Sequence, residues 1–223
     1  MKLHARRKSS GGLTRLEVFC CLAAVSVLVF FFVMIPCGLS NSMRRATRIF
    51  SCASNLKQAG LSMRLFANDH DGNFPWMIST NLGGSQEFTN SSEVFRHFLA
   101  ASNELVTPRV LQCAVDSARL RVGDFAQFSN SNLSYFVSLD AAPSASGSDP
   151  SILSGDRNIV GGTASGSALR VVRKSDRLAW SKEIHGRAGN LGRADGSVLQ
   201  ADDSGLNRAV AAMTNTTIRL AIP

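Results

Sequence analysis

Histidine, cysteine and carboxylate side chains are where chemistry usually starts, and here they are thinly spread. The four histidines are His4, His70, His97 and His185. His185 and Asp195, with nine residues between them, are types that acid–base catalysis and metal binding both use. Yet the chain has no HExxH pair and no Cys or His at metal-ligand spacing, whereas a zinc site gathers three or four grouped ligands. A simpler reading has Asp195-Gly196 forming a turn and His185 hydrogen-bonding to nearby backbone. Asp69-His70-Asp71-Gly72-Asn73 is rich in oxygen but lacks the spaced ligands and distal Glu of a calcium loop, so a helix C-cap accounts for it. The Gly-rich run at 161–167 has no GK[ST] ending and no GxGxxG, and the chain contains no GxSxG elbow. The sequence therefore predicts a protein that is not an enzyme, with no catalytic residue, no cofactor and no metal.

One carboxylate does stand in a costly place. Glu17 sits at the lip of Val18–Ile35, a run of eighteen residues without a charge, where an unpaired charge costs several kcal/mol or more on burial. At 1.5 Å per residue the run is roughly 27 Å long, close to the hydrocarbon thickness of a bilayer. It is too long for a typical signal-peptide core and has no evident cleavage site after it, so a retained single-pass helix is expected. If the chain is cut after Gly12, the ammonium of Leu13 lies one helical turn from Glu17 and can neutralise it, in the same chain or in a neighbour. The other reading of Glu17 is an ordinary acidic residue favoured by the dipole at a helix start.

Composition narrows the classes further. The chain has 223 residues, 44% of them hydrophobic and 18% charged, with a net charge of +8. That suits one medium domain with a short appendage, and it excludes a disordered chain. A transporter with many spans is excluded because there is only one long apolar run. Five basic residues (Lys2, Arg6, Arg7, Lys8 and Arg15) precede the run, and Arg44, Arg45 and Arg48 follow it. The remaining charges are scattered, and there are two Trp and one Tyr, so the basic, aromatic-laced face of a nucleic-acid binder is missing.

The elements that must hold these residues can be read in outline. Ile49, Cys52, Leu56, Ala59, Met63 and Phe66 recur at spacings of three and four, the stripe of an amphipathic helix over 42–68. Gly72 and Pro75 stop it. A helix is expected at 93–103, and strands at 109–113, 133–139, 177–181 and 189–201, the last folded at Asp195-Gly196 into a two-residue hairpin. A surface loop is expected at 141–150 and a terminal helix at 206–214, followed by an apolar tail. A long helix followed by short helices and antiparallel strands points to α+β.

The layout of the N-terminus carries a resemblance. A basic leader, then Gly12, Leu13, Thr14, Glu17 and an apolar run, resembles the prepilin cleavage and methylation motif of type IV pilins and type II secretion pseudopilins. Leu13 stands where Phe is usual, Arg15 is charged where many members are apolar, and Pro36 falls slightly later than the helix-kinking proline of the family. Further on, Ser51-Cys52-Ala53-Ser54-Asn55-Leu56-Lys57-Gln58-Ala59-Gly60-Leu61, Phe66-Ala67-Asn68-Asp69, Asp71-Gly72-Asn73-Phe74-Pro75-Trp76, Ser134-Tyr135-Phe136-Val137, Gly155-Asp156-Arg157-Asn158 and His185 with Asp195-Gly196 resemble pilin-like proteins abundant in Verrucomicrobia and Planctomycetes. The last of these motifs names the subgroup with His, nine residues, then Asp-Gly.

The resemblance implies a pilin-like α+β fold. A long N-terminal helix, transmembrane and then an amphipathic spine, would pack on a small antiparallel-sheet domain. The parts would be a leader at 1–12, a transmembrane half at 13–39, an amphipathic half at 40–72 and an extracytoplasmic domain at 73–223. Prepilin peptidase would cut between Gly12 and Leu13, Leu13 would be N-methylated, and Glu17 would act in assembly. His185, Asp195 and Gly196 would be structural. Partners would be the peptidase, other pilin-like subunits through the N-terminal helix, and the inner membrane, with no nucleic acid. The leader would be cytoplasmic and the C-terminal domain periplasmic, with the protein part of a pseudopilus. Cys52 and Cys113 would then lie in an oxidising compartment that permits a disulfide, although two buried free thiols remain the alternative. The expected function is a pseudopilin-like structural subunit. The competing reading is a pilin-anchored binding module, for instance for polysaccharide, that does not polymerise.

Overall fold

The computed structural model describes residues 14–142 and 151–223, leaving aside the side chains of residue 31 and of 33–48. Helix α1 (Arg15–Asp69) starts at a capping box. The Thr14 backbone N–H and hydroxyl donate to Glu17 Oε2 at 2.8 and 2.9 Å, and the Glu17 N–H donates back to the Thr14 hydroxyl at 3.4 Å, satisfying orphan donors reciprocally. The helix ends where Gly72 N–H returns to the Ala67 carbonyl at 2.8 Å. Asp71 and Gly72 there take φ of 53° and 78°, a left-handed C-terminal cap. The chain divides into two compact units, one up to Ala46 and one from Thr47 to Pro223.

The second unit is α+β. Short helices α2 (Phe95–Ala100) and α3 (Ser102–Leu105) precede strands β1 (Tyr135–Ser138), β2 (Ile152–Asp156), β3 (Ile159–Val160), β4 (Thr163–Ala164), β5 (Leu169–Arg173), β6 (Ala179–Trp180), β7 (Gly189–Arg193) and β8 (Val198–Ala201). Helix α4 (Asp203–Ala211) and strand β9 (Thr217–Ala221) close the chain. Seven strands form one antiparallel sheet in the order β4-β5-β9-β1-β2-β7-β8, and β3 pairs with β6 separately. The last strand is thus central, between β5 and β1.

Side chains that alternate across the strands build two cores. On β1, Tyr135 and Val137 join a cluster with Cys52, Leu56, Ala59, Met63 and Phe66 of α1, whereas Phe136 joins Trp180, Leu206, Val210 and Met213 on the other face. The second half of α1 therefore covers one face and α4 the other. Between them Gly155 is obligatory. A Cβ there would lie 2.6 Å from the Phe136 ring and 2.9 Å from the Asn190 carbonyl oxygen, which leaves no room for a side chain.

The expected pilin-like architecture with a transmembrane half at 13–39 needs correction. Among the described residues no helix is long and apolar enough to cross a membrane. The physical reason is length. The uninterrupted described stretch of α1 from Arg15 to Phe30 covers about 24 Å against roughly 30 Å of hydrocarbon, and it carries Arg15 and Glu17. The sheet is also larger than the small one expected.

Local expectations fare unevenly. The strand expected at 109–113 is a 3-10 turn, Pro108–Leu111, with Pro108 at its first position and Thr107 as its N-cap. The helix expected at 93–103 is two short helices, and a strand, β9, precedes the apolar tail at Ile222-Pro223. The 133–139 and 189–201 segments do hold strands, the latter as the β7–β8 hairpin. The expected loop at 141–150 falls largely outside the described residues.

Candidate functional site

The densest group of polar and sulfur side chains lies on the α1 side of the sheet. Cys52 of α1 and Cys113, just after the Pro108–Leu111 turn, form a disulfide with Cα atoms 5.0 Å apart and a sequence separation of 61. Both are fully buried, and the Tyr135 hydroxyl donates to the Cys52 carbonyl at 3.3 Å. His185 Nε2 lies 3.4 Å from Cys113 Sγ, 3.3 Å from Asn190 Nδ2 and 3.5 Å from Asp156 Oδ2. Asn190 donates to Asp156 Oδ2 twice, from its backbone N–H at 2.7 Å and from its side-chain amide at 2.9 Å.

Each member is placed by a different element. Asp156 ends β2, and Asn190 is the second residue of the neighbouring β7. His185 comes from the loop before β7, where His185, Gly186 and Arg187 have φ of 55°, 64° and 68°. Three successive left-handed residues are costly for the two that are not glycine, and they swing the imidazole under the sheet edge. Asn158 clamps this loop by donating from its side-chain amide to the carbonyls of Ser181 and Ile184, both at 3.0 Å.

Burial governs the electrostatics. It raises the Asp156 carboxyl to about 7, against the pull of the two hydrogen bonds from Asn190, and it lowers His185. Both shifts favour the neutral forms, as expected for groups removed from water. Next to this cluster, Arg157 grips Asp116 with two bonds of 2.8 Å and reaches Glu183 at 3.1 Å. Burial, the largest single influence, raises Asp116, but the hydrogen bonds and charge of Arg157 together with hydrogen bonds from neighbouring residues hold it below its ordinary value.

Chemically, this arrangement is a clasp. The sulfurs and the imidazole are buried, and neither of two open depressions beside α4, one bounded by Arg193 and Gln200 and the other by Arg177 and Asn207, is lined by a member of the cluster. The atoms that could ligate a metal are the sulfurs of Cys52 and Cys113 and a ring nitrogen of His185, all within 4.8 Å of one another.

The residues singled out from sequence are distributed as follows. Gly12 and Leu13 lie outside the described residues. Glu17 closes the cap of α1. His185 meets Cys113, whereas Asp195 and Gly196 form the tip of the β7–β8 hairpin. There the Asp195 carboxylate accepts the Ser197 N–H at 2.7 Å, Gly196 has φ of 86°, and Arg64 of α1 donates to the Asp195 carbonyl. The two ends of the His–Asp-Gly motif thus serve different contacts. Asp156 and Asn190 carried no signal of a buried site, because their partners come from elsewhere in the chain. No family model, no curated protein and no solved structure matches this chain.

Proposed function

We propose that the chain is a pseudopilin-like structural subunit of a type II secretion or type IV pilus-like system. Prepilin peptidase processes it between Gly12 and Leu13, and Leu13 is then N-methylated. The protein assembles through its N-terminal helix at the inner membrane, with the domain from Thr47 onward on the periplasmic side. The observation that carries this reading is the surface of α1 near its start. Leu16, Phe19, Leu22, Val25, Leu28, Phe30 and Phe32 are all exposed, Phe32 at 79%, although monomeric proteins rarely leave so much contiguous apolar surface in water. Helices of further copies are the natural cover.

Two other features support the reading. The Cys52–Cys113 bond belongs in an oxidising compartment. Glu17 holds both Thr14 donors on Oε2, and a carboxylate has about four acceptor sites, so it can take a neighbour's ammonium without losing its cap. The binding-module alternative is less well supported, because Trp76, Trp180 and Tyr135, the natural sugar-stacking residues, are all buried.

Intact-mass and N-terminal analysis of the protein purified from its membranes tests the processing: the expected species begins at methylated Leu13. A species beginning at Met1 overturns the reading. Crosslinking between helices of neighbouring copies, strong in the native protein and lost in Glu17→Ala, tests assembly.

A further inference from the structure

The cluster around the disulfide has the dimensions of a second kind of closure. With metal–sulfur bonds of about 2.3 Å and a metal–nitrogen bond of about 2.0 Å, a tetrahedral zinc site sets its S···N edge at about 3.5 Å. In this structure Cys113 Sγ and His185 Nε2 are 3.4 Å apart, and both sulfurs and a ring nitrogen of His185 lie within 4.8 Å of one another. The two sulfurs stand closer than two ligands of one cation do, held so by the bond between them. We infer that, once that bond is reduced, Cys52, Cys113 and His185 bind a thiophilic divalent cation of the Zn²⁺ type.

The outer groups fit the same role. Asp156 Oδ2, 3.5 Å from His185 Nε2, accepts two hydrogen bonds from Asn190, so a carboxylate is fixed beside the imidazole as an outer group. Asp156 Oδ1 and His185 Nδ1 are buried without a protein hydrogen-bond partner, so polar atoms remain that the outer shell of a cation can engage. The three ligands come from α1, the segment after the 3-10 turn and the loop before β7. No pair of them has the short sequence spacing by which zinc motifs are normally recognised.

The chemistry balances with a dithiol as reductant. The dithiol gives two electrons and two protons to the disulfide, becomes a cyclic disulfide itself, and leaves Cys52 and Cys113 as thiols. The cation then displaces both thiol protons to solvent, since thiolate is the ligating form. The closure between α1 and the domain is thereby kept in both redox states, covalent when oxidised and coordinate when reduced. This inference does not depend on the assembly reading.

The test uses the full chain and Co²⁺ as a spectroscopic stand-in for Zn²⁺. A phosphine opens the disulfide: phosphorus takes the oxygen of one water as phosphine oxide, and the two protons of that water end on the sulfurs. The reduced protein is then titrated with Co²⁺. The expected result is one Co²⁺ per chain, with a thiolate-to-cobalt charge-transfer band and intense tetrahedral d–d bands, and neither band in the oxidised protein. His185→Gln should weaken binding more than about 100-fold, beyond the roughly 10–100-fold typical of outer-shell changes. X-ray absorption of the reduced wild-type complex should show two sulfurs and an imidazole, so the ligand set can be read even where the variant folds poorly. Absence of the charge-transfer band in the reduced protein, or a coordination shell without imidazole, overturns the inference. Retention of full affinity by a folded His185→Gln protein does the same.

Discussion

The two halves of α1 dispose of their apolar side chains in opposite ways. Near the start, Leu16, Phe19, Leu22, Leu28 and Phe32 lie exposed around the helix. From Cys52 onward the apolar residues fall on one stripe, and Cys52, Leu56, Ala59, Met63 and Phe66 are all buried within the chain's own domain. A stripe can be satisfied by one partner surface, but apolar residues on every side need a surrounding environment. The second half is thus a component of the domain, and the apolar side chains near the start of the first half lie exposed. Both the amount of apolar side chain and its arrangement around the axis separate the two.

That contrast can be broken most directly at the covalent link. Replacing Cys52 and Cys113 with Ser should cost about 4 kcal/mol for a loop of this length, on the chain-entropy account, read from urea unfolding of the full chain under oxidising conditions. A loss below about 1 kcal/mol would mean that packing alone holds the helix. Truncation sharpens the same point. Leu56→Ala, at a fully buried position, should lower stability by about 3 kcal/mol, whereas Leu22→Ala, 64% exposed, should leave it within about 0.5 kcal/mol. Equal losses at both sites would erase the distinction between the halves.

The ground beneath the covered half should respond to pH in two opposite senses. Asp156, raised to about 7 by burial, binds its proton more tightly in the folded state than in the unfolded one. Wild-type stability relative to Asp156→Asn should therefore fall as pH rises from about 4 to about 7, by up to about 1.4 kcal/mol per pH unit, and level off above. His97, whose ring Nδ1 is 2.8 Å from the Ser85 hydroxyl, is lowered by burial to about 4. It binds its proton less readily when folded, so wild-type stability relative to His97→Gln should fall as pH drops from 6.5 towards 4. Flat difference curves in these windows would show that neither group is as dry as the structure has it. The smallest effect concerns the exposed half: Glu17→Ala should leave urea unfolding of the domain unchanged within about 0.5 kcal/mol while abolishing crosslinks between neighbouring helices.

Legibility followed the range of the interaction. The spacing of Cys52, Leu56, Ala59, Met63 and Phe66 marks a helix face because helical neighbours are three and four residues apart. Asp195-Gly196 reads as a hairpin tip because a two-residue turn depends almost wholly on its own residues, and Gly196 indeed takes a left-handed φ. The 109–113 segment misled because its β-like residues follow Pro108, which starts a 3-10 turn. Residues 217–221 gave no strand reading, since nothing local reveals that they will pair with β5 on one side and β1 on the other. The uncharged run after Glu17 suggested a membrane span and a pilin-like architecture, and no described helix meets that requirement.

By itself, the amino-acid order settled the periodic and the adjacent: the amphipathic stripe, the Asp-Gly turn, and the α+β character of the chain. Tertiary structure alone decided that Cys52, Cys113, Asp156, His185 and Asn190 meet, that β9 is central, and that α1 and α4 take opposite faces of one sheet. The physical reason is that propensity and periodicity are summed over neighbours along the chain. The meeting of a sulfur, an imidazole and a carboxylate from four separate elements is set by packing among residues far apart in sequence, which leaves no local trace.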